Sequence, residues 1–143
     1  MWVERQRYAP GETVRGFVDV IQAIDARDLT VGLHYMEETR DYRGTGLVAA
    51  TSTLHVGPVA KGSRFEFELA LPPDALPAFR SEHGALWWEV AAKADKPGFD
   101  KNASLPIEVA PPDALPPPGW HADPWGKAAR RYWDGAAWTS HTA

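Results

Sequence analysis

The chain has 143 residues, 24% of them charged and 44% hydrophobic, with a formal net charge of −4 and no cysteine. This composition is that of a globular protein and excludes a disordered polyelectrolyte, a disulfide scaffold and any thiolate metal site. The mild acidity gives no electrostatic footprint for nucleic acid, and no apolar run approaches the ~20 residues that cross a bilayer.

The first segment, "MWVERQRYAPGE", is charged at once and lacks the apolar core of an export signal, so a cytoplasmic location is expected. Its "WVERQRY" reads as a first strand, closed by the Pro10-Gly11 turn. "TVRGFVDV" then sets Val14, Val18 and Val20 on one face against Arg15, Phe17 and Asp19 on the other. "LTVGLHY" alternates in the same way, with Leu29, Val31, Leu33 and Tyr35 on the apolar side. "LVAATSTLHV" follows, and "RFEFELAL" is the clearest case, with Phe65, Phe67, Leu69 and Leu71 inside. "LWWEVAAK" places Leu86, Trp88 and Val90 inward and Trp87, Glu89 and Lys93 outward, and "LPIEV" ends at Val109. Apolar residues at period two make strands with one buried side and one wet side.

Gly and Pro clusters separate these seven runs at Gly44–Gly46, Gly57-Pro58, Pro72-Pro73-Asp74 and Pro97-Gly98. Seven one-sided strands must bury their apolar faces against each other, which takes two sheets. The expected fold for residues 1–110 is therefore all-β, a seven-stranded antiparallel two-sheet sandwich of immunoglobulin-like type.

At Pro111 the character changes. "PPDALPPPG" holds five prolines in nine residues and cannot join a ladder, so 111–118 reads as a polyproline II linker or strap. It echoes "PPDALP" at Pro72–Pro77, as two strands ending in similar turns would. Residues 119–143 then carry Trp120, Trp125, Trp133 and Trp138, four of the seven tryptophans. "RRYWDGAAWTSH" reads as a hairpin with Asp134–Ala137 as its loop and Gly135 supplying a positive φ. That loop makes Trp133 and Trp138 cross-strand partners on one face and puts Tyr132 with Thr139 on the other. "GWHADP" adds a third strand, ended by Pro124.

So short a module cannot easily shelter its rings alone. Three arrangements are open: docking on the sandwich at outward-facing Trp87 or Phe17, a small aromatic core closed by the linker prolines, or a groove for an extended or proline-rich segment of another chain. The candidate contact residues are Trp120, Trp125, Tyr132, Trp133 and Trp138, with Arg130 and Arg131 at a rim, since aromatic and arginine side chains dominate interface energetics.

No motif for catalysis is present. The histidines are scattered; His34 and His55 with Glu37 are the nearest to a metal triad, and solvated strand faces are the default for them. His141 is expected to support Asp134 or a tail carbonyl. Asp95 and Asp100 flank a Pro-Gly turn without enough regularly spaced oxygens for calcium. Neither enzyme activity, cofactor nor metal is expected.

The run "YAPGETVRGFV … FEFELALPPDALPAF … GALWWEVAAKADKPGFD" resembles the bacterial branch of arrestin-like β-sandwiches, a clan that includes a sporulation-control family. The resemblance covers about Trp2 to Val109 and implies a non-catalytic adaptor or scaffold. The polar-core charges of animal arrestins have no counterpart here, so receptor or phosphate recognition is not implied. "PPPGWHADPWGKAARRYWDGAAWTSH" resembles a short module of unknown function common in actinobacterial proteins, with the pattern P-G-W-x-x-D-P…R-Y-W-D-G-x-x-W-T-x-H. That resemblance implies no activity. The expectation is a protein–protein adaptor with an unidentified protein partner, and possible self-association through strand edges. The alternative is a carbohydrate-binding sandwich that uses exposed tryptophan platforms.

Overall fold

Val3 and Tyr8 are both apolar and both buried, yet they stand five residues apart. A single strand would send them to opposite faces. The computed structural model, which describes residues 1–110 and 116–143, shows how the chain resolves this. Strand β1 (Trp2–Val3) pairs with β3 (Thr13–Asp19) in one sheet. The chain then bends, and β2 (Arg7–Tyr8) runs parallel to β9 (Lys101–Val109) in the other. The first expected strand is thus two short ones, and both Val3 and Tyr8 reach the same core.

The other expected runs form β4 (Asp28–Thr39), β5 (Arg43–Val56), β6 (Arg64–Ala70), β8 (Gly84–Asp95) and β9, and a three-residue strand β7 (Phe79–Ser81) adds to β8. The sandwich therefore has nine strands where the patterning marked seven. One sheet has the order β1-β3-β6 and the other the order β2-β9-β8-β4-β5. All pairings in the two sheets are antiparallel except β2 with β9. Among the described residues there is no helix, and so none long and apolar enough to cross a membrane.

The core draws on both sheets. Val14, Phe67 and Leu69 come from the smaller, and Leu33, Trp88 and Ile107 from the larger. A second cluster around Val20, Leu29, Val59 and Ala94 closes one end. Burying the Trp88 indole obliges its N–H to find an acceptor, and it donates to the Leu76 carbonyl at 2.8 Å. The Tyr35 hydroxyl donates to the Pro77 carbonyl at 3.3 Å, so the strap after the Pro72–Asp74 turn is tied down by the two aromatics beneath it.

The "YAPGE" stretch is a type II turn: Pro10 takes the second position and Gly11, at φ +83°, the third, with Glu12 N–H donating to the Ala9 carbonyl at 3.1 Å. Backbone bonds then join it to the end of β6, from Gly11 N–H to the Pro72 carbonyl (3.0 Å) and from Leu71 N–H to the Glu12 carbonyl (2.9 Å). The turn and the Leu71-Pro72 ending, far apart in sequence, thus form one corner.

The outward aromatics have partners inside the sandwich. Phe17 stacks on Trp2 at 5.1 Å, and the Arg64 guanidinium, held by Asp19 at 2.7 and 3.0 Å, lies 3.8 Å from its ring centre. Trp87 lies beneath Arg43 at 5.3 Å and donates its indole N–H to Glu89 at 3.2 Å.

By its contacts the chain divides into two compact units, Met1–Ala110 and Pro111–Ala143. In the second, β10 (Gly119–Ala122), β11 (Arg130–Trp133) and β12 (Trp138–Thr142) form an antiparallel sheet of their own. The polyproline expectation for the linker falls mainly on 111–115, which lie outside the described residues.

Candidate functional site

The C-terminal sheet has two unlike faces, and register assigns the residues to them. Trp120 pairs with Tyr132 and Ala122 with Arg130, so these four share one face; Gly119 with Trp133 and His121 with Arg131 define the other. Trp133 faces Trp138 across the hairpin, with ring centres 5.1 Å apart.

The second face is the interior of the module. Trp133 is only 3% exposed. His121 meets Trp138 edge-on at 6.0 Å, and its Nε2 lies 2.7 Å from the Pro117 carbonyl. A carbonyl only accepts, so that nitrogen carries the proton. Pro118 sits over the hairpin loop, where a Cβ on Gly135 would come within 3.1 Å of its ring. Pro117 and Pro118 are thus gathered against the module.

The hairpin loop follows from its residues. Asp134 turns its carboxylate back onto the Ala136 and Ala137 amides at 2.8 and 2.7 Å, and Gly135 takes φ +97°. Those amides, Ala137 first, hold the Asp134 carboxyl below its usual range. Beyond Trp138 the register shifts: Arg131 faces Thr142, and the Thr139 hydroxyl donates to the Tyr132 carbonyl at 2.9 Å. His141, expected to support Asp134 or a carbonyl, instead donates its backbone N–H to the Thr139 hydroxyl at 3.2 Å.

Asp123 is the centre of the remaining loop. Its side chain is fully covered, and it accepts from the amides of Trp125, Lys127 and Ala128 at 3.3, 2.9 and 2.8 Å and from Arg131 Nε at 3.0 Å. The Arg131 guanidinium, followed by the amides, pulls the Asp123 carboxyl down to about 2. Arg131 also donates to the Thr139 carbonyl at 2.9 Å, lies 4.7 Å from the Trp125 ring centre, and has a side chain only 13% exposed. Arg131, expected at a rim, has a side chain that joins the Asp123 loop to the hairpin. Asp123 was missed as a central residue. Its signal was an Asp-Pro step opening a loop, which favours side-chain capture of the following amides.

The first face is open. Trp120 is 46% exposed and meets Tyr132 edge-on at 5.5 Å, and exposed Arg130 lies beside them. Trp125, 55% exposed, stands at the edge of the interior face. The structure thus brings Trp120, Tyr132 and Arg130 together on a surface, and makes Trp133 and Arg131 the support beneath it.

Elsewhere, His55 lies against Phe65 and within 3.1 Å of the Pro58 carbonyl. Among the described residues no three His, Asp or Glu side chains are grouped to hold a metal ion.

Residues 118–143 match a family described as "Protein of unknown function (DUF2510)". The chain is also similar to the crystal structure of Spo0M, a sporulation control protein from Bacillus subtilis. The identity is 25% and the TM-score 0.49, over 78% of this chain and 48% of that one. The chain thus spans about half the length of that protein. No curated protein matches the sequence.

Proposed function

We propose that the chain is a non-catalytic protein–protein adaptor, a β-sandwich over residues 1–110 joined by a proline-rich linker to a Trp-rich module at 119–143 that binds an extended, proline-containing segment of a partner. The observation that carries this reading is the asymmetry of the module's sheet. One face is closed over Trp133, while the other leaves Trp120 in solvent, edge-on to half-buried Tyr132 and beside exposed Arg130. An exposed ring braced by a neighbouring one on a rigid sheet offers stacking surface at little entropic cost, and polyproline segments present rigid rings to match. The resemblance of the sandwich sequence to arrestin-like adaptors supports the same reading. Strand β5, 14 residues long and terminal in its sheet, is the second contact surface in this proposal.

The test is a titration of the full chain with a polyproline peptide, followed by amide and indole NMR shifts. Shifts centred on Trp120 and Tyr132 are expected, and Trp120→Ala should weaken binding by about 2 kcal/mol, roughly thirty-fold. Binding that survives Trp120→Ala unchanged refutes the assignment. A glycan array screened with the full chain tests the carbohydrate alternative, and stacking of sugars on Trp120 would displace the peptide reading.

A further inference from the structure

The sandwich carries a second unassigned surface, on the outer side of the larger sheet. Register places Thr51, Gly32, Ala91 and Ser104 in one row across β5, β4, β8 and β9. The two central positions have no side chain beyond a methyl group, so the row is a trench. On one side it is walled by His34 and Glu89, which face each other across β4 and β8, and on the other by Thr30 and Lys93. The hollow has a volume of about 370 Å³. The His34 ring lies over Gly32, where a Cβ would stand 3.0 Å from its Nε2, so the open part of the floor is at Ala91.

Glu89 is the notable wall residue. It is 8% exposed and is the one charged residue of the sandwich that is buried as a whole. One carboxylate oxygen accepts the Trp87 indole N–H. No ion pair among the described residues includes it. Lys93, the cation on the opposite wall, is paired with Asp100 at 3.0 Å. A covered carboxylate without a countercharge is costly, and a cation supplied from outside offsets that cost. The rest of the lining suits such a guest, because the hydroxyls of Thr30, Thr51 and Ser104 all accept hydrogen bonds.

We propose that this trench binds a compact organic cation, an alkyl-guanidinium or alkyl-ammonium group, with Glu89 as its counter-ion and the floor at Ala91, beside the His34 ring, receiving the alkyl stem. The volume suits one long side chain or a small amine. The same chemistry is available from a free amine or from an arginine or lysine side chain of a protein.

The experiment is an NMR titration of the full chain at low ionic strength with agmatine and cadaverine, with n-butanol as the uncharged control. A capped Gly-Arg-Gly peptide tests a side chain borne on a backbone. The expected result is saturable shifts of the Gly32, Ala91 and Ser104 amides with the cations and none with butanol. Tighter binding of the peptide than of agmatine identifies a protein side chain as the guest, and the reverse identifies a small amine. Glu89→Gln keeps the shape and should weaken binding about tenfold or more. Ala91→Leu, which fills the floor from the solvent side, should abolish it with the melt unchanged. Equal shifts in wild type and Glu89→Gln, equal shifts with butanol, or no shift of the trench amides would each overturn the proposal.

Discussion

Replacing Trp133 by alanine tests the architecture of the module most directly. Its ring is almost wholly covered, and a tryptophan side chain buries roughly 150–250 Å². At about 25 cal/mol per Å² this is worth on the order of 4–6 kcal/mol as an upper estimate. Truncation of large buried aromatics costs about 3–5 kcal/mol. A segment this short, with no cysteine to form a disulfide, has no larger reserve, so Trp133→Ala should unfold the module locally while the sandwich, with its own core, keeps its melt.

The assay is hydrogen exchange at Arg130, Asp134 and Ala143, whose amides bond across the hairpin. A second variant sharpens the reasoning. The Trp133 Nε1–H is buried with no acceptor among the described residues, a defect worth roughly 1–3 kcal/mol. Trp133→Phe removes that donor along with some ring area, so it should cost far less than alanine, about 1 kcal/mol or less net. Protected hairpin amides in Trp133→Ala, or equal losses in the two variants, would refute the burial argument.

Acid should open the module through Asp123. Its carboxyl titrates at about 2 in the folded chain against an ordinary 3.8, so the unfolded state takes up the proton first. The stabilisation is complete above the ordinary value and is lost as pH falls from there towards about 2; module indole fluorescence followed through that window checks it, and a transition centred near pH 6 would point to histidine instead. Gly135→Ala must hold φ +97° and meet Pro118, so a loss of about 1–2 kcal/mol is expected in module exchange. Gly126, at φ +66° with nothing near it, tests strain alone, and its alanine variant should lose less. In the sandwich, a Cβ on Gly16 would run into the Trp2 carbonyl and reach within 2.8 Å of the Phe67 ring; Gly16→Ala should displace β1 and destabilise the sandwich by about 1–3 kcal/mol, read as a lowered melt, and an unchanged melt would show that β1 contributes nothing.

The strands of the sandwich were legible because a strand with one wet side must repeat every two residues, as Phe65 to Leu71 do. The same rule located the C-terminal hairpin, since an Asp-Gly loop of four residues leaves Trp133 and Trp138 no register but facing one another. Three things were not legible. The crossing of the chain between Val3 and Tyr8 depends on both residues reaching one core, which is a property of two sheets and not of one strand. The covered state of Asp123 and Arg131 depends on a loop folding back eight residues, where three amides and a guanidinium converge on one carboxylate. The trench beside Glu89 arises because Gly32 and Ala91, 59 positions apart in the chain, fall in one row. Local patterning determines which side of a strand is apolar; which side chains then meet, and which charge is left without a partner, is decided only when register aligns distant strands.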